Sequence, residues 1–202
     1  MTTEAPLAER VELALVDEDG AQAADILTEA DVSQIDQASL EKLVSLAIET
    51  EPTNPFYLRV VALVSDKVRD ELHEDIGDNW DIDEITQLFE DDRSGPYADG
   101  IVRAIIKSDD GLDAIYPVCI GRISKEVRAE LNRAVGKHGD ITPDDLNVLV
   151  RKHANAEDVD AMIDGLLETI DEETVFEFMK AAGSQLSDAQ MLRLARAVQN
   201  KN

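Results

Sequence analysis

The spacing of apolar residues is the feature of this chain that most constrains its fold. In the clearest segment, Asn54 can cap a helix, Pro55 suits the first helical position and Gly77 can end the helix. Between these residues the apolar positions recur every three or four residues, at Tyr57, Val61, Val64, Val68 and Leu72. This period places them on one face of a single helix of about five turns. Since no comparable run alternates apolar and polar residues, the sequence predicts an all-α protein.

The last third of the chain predicts several short helices with brief connections. Their expected starts are the capping residues Thr142, Asn155, Asp171 and Ser187. Brief turns favour antiparallel packing of successive helices. We therefore expect about ten short helices, in a multi-helix bundle or a short α-solenoid of antiparallel helical hairpins. The similar helices that follow Ser39, Thr142 and Ser187 suggest an internal repeat, although any capped amphipathic helix gives this pattern.

The segment Arg-Ser-Gly-Pro at 93–96 marks a change in both local structure and charge. Gly and Pro interrupt the helical pattern there. Residues 1–100 contain 26 acidic and 6 basic residues, whereas 101–202 contain 18 and 13. We therefore predict an acidic helical subdomain over 1–95 and a second helical subdomain, with C-terminal helical hairpins, over 96–202.

The overall charge limits the partners that the protein can bind. Acidic residues number 44 against 19 basic ones, for a formal net charge of −25. Nucleic-acid phosphates and anionic membranes repel such a protein, so we expect it to bind neither directly. The first residues lack the basic character of a secretory signal, and no apolar run reaches the roughly 18 residues that span a bilayer. These features predict a cytoplasmic or virion-associated protein.

Charges near the expected helix ends separate the two halves of the chain. The carbonyl end of a helix is partly negative and favours basic residues. The second half follows this rule with Lys137, Arg151, Lys152, Lys180 and Arg196. The first half places acids there, and a local rule broken without structural gain is typical of a functional site. The predicted partner-binding residues are Asp70, Glu71, Glu74, Asp75, Asp78, Asp81, Asp83, Glu84, Glu90, Asp91 and Asp92.

Two kinds of protein partner fit these acids. The first is a basic protein surface, including one that normally holds nucleic acid, because spaced carboxylates can substitute for phosphates. The second is another copy of the chain, bound through its basic residues Arg122, Lys125, Arg128, Arg133 and Lys137. The alternative function is therefore a self-associating structural or assembly component of a larger particle, of viral or phage type. Salt adaptation also explains acidity, but it should spread acids over both halves.

No local pattern indicates catalysis or a bound cofactor. An EF-hand loop that began at Asp75 would have Trp80 where the calcium loop needs glycine. Cys119 lies in an apolar run and is predicted to be a core residue, whereas His73 lies among acids and is expected to face solvent. We therefore predict a protein that is not an enzyme, with no catalytic residues, no metal site and no cofactor.

Overall fold

The computed structural model describes residues 5–17, 19–29, 35–50, 54–108, 111–137, 141–169 and 172–199. Within these ranges it contains thirteen α-helices, one 3₁₀ helix at Asp92–Tyr97 and no β-strand, which confirms the all-α fold. The helices are α1 (Leu7–Val16), α2 (Gly20–Glu29), α3 (Gln37–Glu49), α4 (Asn54–Val60), α5 (Asp66–Asn79), α6 (Ile82–Glu90), α7 (Ala98–Ser108), α8 (Leu112–Cys119), α9 (Lys125–Lys137), α10 (Pro143–Lys152), α11 (Ala156–Thr169), α12 (Glu172–Ala182) and α13 (Asp188–Gln199).

The single long helix predicted from Asn54 to Gly77 is wrong. The chain leaves α4 after Val60 and enters α5 at Asp66, with Ser65 as the N-cap residue. The apolar stripe nevertheless continues across the break, because both helices bury their apolar residues in the same core. Gly77 lies inside α5 and does not end it. A Cβ atom at Gly77 would lie 2.8 Å from the backbone of Ala104, so glycine allows α5 and α7 to approach closely.

Side-chain caps fix several helix starts. Asp36 caps α3 by accepting a hydrogen bond from the Ser39 backbone N–H, so Ser39 lies inside that helix and does not begin it. Helices α6 and α10 both begin with a capping box, which is formed by Asp81 with Glu84 and by Thr142 with Asp145. These reciprocal hydrogen bonds satisfy backbone N–H groups that have no partner within the helix.

The helices form two stacked layers. Each helix packs on the helix two positions further along the chain, so the odd-numbered helices α1 to α13 form one layer and the even-numbered helices α2 to α12 form the other. The most extensive contacts of this kind join α5 to α7 and α9 to α11. Consecutive helices also pack together, above all α1 with α2. Layers that grow by contacts between near neighbours are typical of a helical solenoid.

One continuous apolar core follows both layers. It includes buried residues from α1 through α13, among them Val11, Leu72, Ile101, Leu131 and Leu194. Helices α5 and α7, which lie on either side of the boundary predicted near residue 95, are in extensive contact. The division into subdomains 1–95 and 96–202 stays a prediction.

An internal repeat links α4–α5 to α8–α9. In both pairs a Tyr is followed eight residues later by a Ser, and the sequence Val-Arg-x-Glu-Leu begins three residues after that Ser. A Gly ends the match, which runs from Tyr57 to Gly77 in the first pair and from Tyr116 to Gly136 in the second. Helices α6–α7 and α10–α11 follow in corresponding order, with matching capping boxes. We call residues 54–108 the first repeat and 112–169 the second repeat.

Helices α12 and α13 begin a third unit of the same kind. Ser187 stands where Ser124 stands in the second repeat, and both hydroxyl groups accept a hydrogen bond from the backbone N–H three residues later. Leu194 and Leu131, each seven residues after its Ser, are fully buried. The solenoid therefore repeats in blocks of four helices, of which α12–α13 is the start of the next block.

Candidate protein-interaction surface

Three exposed carboxylates form a row along α5, which we call the acidic row: Asp70, Glu74 and Asp78. Residues four positions apart lie on one face of a helix, about 6 Å apart along its axis. Glu74 forms an ion pair with Lys107 on α7. Asp70 and Asp78 form no ion pair with any residue that the structure describes. The acidic row therefore presents carboxylates that the described fold leaves available to a partner.

The second repeat carries different residues on the corresponding face of α9. Ala129 replaces Asp70, Arg133 replaces Glu74 and Lys137 replaces Asp78, counted from the shared Ser. Arg133 and Lys137 both contact Glu168 on α11, at Nε–Oε1 and Nζ–Oε2 distances of 3.2 and 3.8 Å. The ion pair between neighbouring odd helices is thus kept in the second repeat, but its two charges are exchanged.

A second ion pair shows the same exchange of charge. Arg103 on α7 contacts Glu130 on α9 at an Nε–Oε2 distance of 3.1 Å. In the next pair of odd-numbered helices, Asp164 on α11 stands at the position of Arg103, and Arg193 on α13 stands at the position of Glu130. These two residues are also paired. Since either polarity serves to join neighbouring helices, the fold does not require an acidic residue at any one of these positions.

The other acids of the predicted site have varied roles. Glu71 pairs with Lys67 along α5 at 3.1 Å, while Asp81 and Glu84 form the capping box of α6. Asp83 and Glu90 are exposed on α6. Asp91 is half-buried after α6, and Asp92 begins the 3₁₀ helix with a side chain outside the described residues.

Asp75 does not belong to an exposed surface. Its side chain is buried, and it accepts hydrogen bonds from Asn79 Nδ2 at 2.8 Å and from Trp80 Nε1 at 3.2 Å. Burial raises the pKa of Asp75, and these two hydrogen bonds oppose that rise. Asp75 therefore anchors the C-terminal end of α5 from the inside.

The prediction that His73 faces solvent is wrong. The ring is buried, and its Nε2 atom lies 3.0 Å from the Tyr57 hydroxyl group, within hydrogen-bond distance. A Cβ atom at Gly100 would lie only 2.3 Å from His73 Nδ1, so that glycine on α7 makes room for the ring. Burial lowers the pKa of His73 to about 4, which keeps the ring neutral near pH 7.

The second repeat has a buried polar network at the corresponding place. Arg128 donates to both carboxylate oxygens of Asp158, at Nε–Oδ1 and Nη2–Oδ2 distances of 2.6 and 2.5 Å. Asn132 donates to Asp158 at 2.9 Å and accepts from the Tyr116 hydroxyl group at 2.6 Å. Burial opposes the charged form of Asp158, but the hydrogen bonds, first that from Arg128, outweigh it and hold the pKa of Asp158 below its ordinary value.

The matching arginine of the first repeat uses other partners. Arg69 donates to the carbonyl oxygens of Val61 and Val64 at 2.9 and 3.0 Å. Its guanidinium also lies 5.4 Å from the centre of the Tyr97 ring, a cation–π distance. Arg128 likewise donates to the carbonyl oxygen of Ile120, just after α8, at 3.1 Å. Both arginines thus join the end of one helix to the start of the next. The recurring Val-Arg-x-Glu-Leu sequence was the signal that could have predicted this role.

Four of the five basic residues predicted to mediate self-association already have partners. Arg128 is held by Asp158, Lys125 contacts Glu157 at 3.0 Å, and Arg133 and Lys137 contact Glu168. Arg122 is exposed and forms no ion pair within the described part of the chain. The prediction that Cys119 is a core residue is confirmed, since it is fully buried and burial raises the pKa of its thiol to about 12.

Two other kinds of site are absent from the described residues. No group of three or more His, Cys, Asp or Glu side chains among them is arranged to hold a metal ion. None of the described helices is both long and apolar enough to cross a membrane. No protein-family model, curated protein or solved structure matches the chain.

Proposed function

We propose that this protein is a non-catalytic interaction module, an adaptor or inhibitor, whose acidic N-terminal half binds a basic surface of a partner protein. One observation carries the proposal. The acidic row and the corresponding face of α9 occupy the same scaffold, yet the second repeat has Ala129 and Lys137 where the first has Asp70 and Asp78. Since the scaffold accepts both sets, the two free carboxylates are explained better by binding than by folding.

The charges at helix ends support the same proposal. Helices α1, α2, α3, α5 and α6 have no basic residue in the last turn. Counted from the capping residue of each helix, Arg151 and Lys152 of α10 correspond to Glu90, the last residue of α6, and to Asp91, which follows it. Acids at these ends oppose the helix dipole at a cost of about 0.3–1 kcal/mol each. That cost recurs in the first half, as expected of a surface selected for its charge.

The kind of partner follows from the chemistry of this surface. Carboxylates at regular spacing attract arginine and lysine side chains and speed association with a positively charged protein. A partner that normally binds nucleic acid offers such side chains, and the acidic half would then occupy its binding surface as a mimic of phosphates. The attraction between exposed charges should weaken steeply as salt is raised.

The proposal is tested by giving the first repeat the surface of the second. Asp70→Ala with Asp78→Lys installs the residues that α9 carries, so the fold should be kept. We would immobilise the wild-type chain and this variant and compare the basic proteins that each retains from host lysate at about 50 and 500 mM salt. The proposal expects retention by the wild-type chain at low salt, release at high salt and at least a severalfold loss in the variant.

A single change elsewhere supplies the matched control. The single variant Asp78→Lys is measured beside the double variant, and Glu177→Lys on α12 makes the same charge change at another exposed position, outside the acidic half. If Glu177→Lys reduces retention as much as Asp78→Lys does, overall charge and not the acidic row governs binding. Equal retention by all variants would also contradict the proposal.

A further inference from the structure

The C-terminal end of α5 contains a buried carboxylate that has no basic partner. Asp75 is only 5% exposed, and the two side chains that donate hydrogen bonds to it, Asn79 and Trp80, are both uncharged. Among the described residues no Lys or Arg supports its charge, and the neighbouring carboxylate of Asp78 opposes it. A buried charge normally has a basic partner, because removing it from water is costly. Asp75 therefore needs an explanation beyond its own hydrogen bonds.

The other two units of the solenoid do without this carboxylate. Ten residues after the shared Ser, Ala134 of α9 and Ala197 of α13 stand where α5 has Asp75. Residues 137–141, which follow the matching Gly of the second repeat, contain no Trp, Tyr or Phe to correspond to Trp80. Since the scaffold forms with alanine at this position, folding alone does not explain the buried charge and the indole that it holds.

Asp75 holds Trp80 in place at the end of the acidic row. Trp80 is half-buried, so that part of its ring packs against the core and the rest reaches solvent. The ring meets that of Tyr57 edge to face, with 6.1 Å between the ring centres, while Asp75 accepts its N–H group. Asp78, the last carboxylate of the acidic row, is exposed and close enough to act on the charge of Asp75. A fixed indole and a free carboxylate thus lie close together.

An indole ring beside a carboxylate suits an arginine side chain. The planar guanidinium can stack on the ring and donate hydrogen bonds to the carboxylate at once, whereas the ammonium of lysine is compact and strongly hydrated. We propose that Trp80 and Asp78 receive an arginine of the basic partner, with Asp75 as a positioning residue that acts through Trp80. This inference rests on the function proposed above and adds which side chain the partner presents at this end of the acidic row.

The fluorescence of Trp80 gives the first test, because it is the one tryptophan of the chain. Hexa-arginine and hexa-lysine peptides, which carry equal charge, are titrated into the full chain at about 50 mM salt. Hexa-arginine should bind at least about threefold more tightly than hexa-lysine and should change the fluorescence until the site is saturated. Equal affinities for the two peptides, or binding of hexa-arginine without a change in fluorescence, would overturn the proposal.

Variants separate the ring from the general charge, with affinities measured by the anisotropy of labelled peptides. Trp80→Leu should lower the affinity for hexa-arginine about three- to tenfold and leave that for hexa-lysine nearly unchanged. Trp80→Phe keeps an aromatic ring against Tyr57 and should lose less. Asp78→Asn should weaken binding of both peptides about twofold, more than Glu177→Gln, the matched control at an exposed position on α12.

Asp75→Ala tests the positioning role, and the fold should be kept because α9 and α13 carry alanine at this position. The variant should shift the emission of Trp80 to longer wavelength and reduce the preference for hexa-arginine over hexa-lysine. If it keeps both the emission and the preference, Asp75 does not position the ring.

The double variant Asp70→Ala with Asp78→Lys distinguishes this inference from the function on which it rests. If the double variant loses both peptides while Trp80→Leu keeps the preference for hexa-arginine, the acidic row binds basic partners but Trp80 does not select arginine. If the double variant binds both peptides as tightly as the wild-type chain does, both proposals are contradicted.

Discussion

Arg128 and Asp158 form the most enclosed ion pair among the described residues, with side-chain exposures of 26% and 3%. The pair joins α9 to α11, and Asn132 and the backbone of Asn155 complete the hydrogen bonds to the carboxylate. We expect Asp158→Ala to lower the free energy of unfolding by about 2 kcal/mol, less than for a fully buried pair because Arg128 reaches solvent. Urea denaturation measures this loss.

The exposed ion pairs provide the comparison for that experiment. Glu157→Ala removes the partner of Lys125 one residue earlier on α11, where both side chains are largely exposed. Its effect on unfolding should be small. Similar losses from Asp158→Ala and Glu157→Ala would mean that the network around Arg128 does not stabilise the contact between α9 and α11.

His73 should make stability depend on pH. Its pKa is about 4 in the folded protein and 6.5 for the ordinary side chain, so between these values the unfolded chain binds a proton that the folded protein does not. The stability contributed by the neutral ring is complete above pH 6.5 and falls as pH decreases toward 4. The loss attributable to His73 is about 3 kcal/mol over this range. Unfolding curves at intervals of half a pH unit measure it.

Asn132 indicates the control for the pH experiment. It stands at the position of His73 in the second repeat and accepts a hydrogen bond from the matching tyrosine. His73→Asn should therefore keep the fold while removing the histidine contribution to the slope between pH 6.5 and 4. The burial of His73 would be contradicted if the variant kept the wild-type slope throughout this range.

Two glycines hold α9 and α11 at close range. A Cβ atom at Gly136 would lie 1.9 Å from the carbonyl oxygen of Met162, and one at Gly165 would lie 1.9 Å from that of Arg133. Alanine normally stabilises a helix relative to glycine, but here either substitution must push the helices apart. We expect Gly136→Ala and Gly165→Ala each to cost about 3 kcal/mol in thermal unfolding experiments. Gly121→Ala, where no atom lies within 4 Å of the added Cβ, should leave stability nearly unchanged.

Cys119 should report opening of the core. Its side chain is fully buried, and burial raises the pKa of the thiol to about 12, so little reactive thiolate exists near pH 7. A thiol reagent should label the native protein only as fast as the protein opens, and addition of urea should accelerate the labelling. Labelling of native protein at the rate of a free thiol would show that this part of the core is accessible.

The sequence alone determined the features that depend on neighbouring residues. The three- and four-residue period specified helices, and the capping residues Thr142 and Ser187 marked two of their starts. These features follow from hydrogen bonds and side-chain contacts within one or two turns. The excess of acids in the first half was likewise readable without any structure.

Only the tertiary structure decided which polar residues are buried and which helices meet. The break between α4 and α5 was hidden from periodicity because the apolar stripe continues through it. His73 and Asp75 resemble their exposed acidic neighbours in sequence, yet packing of α5 against α7 buries His73 beneath Gly100. Arg128 finds Asp158 thirty residues away, because stacking of every second helix brings α9 onto α11. Burial and pairing of this kind depend on contacts distant in sequence, which local propensity does not encode.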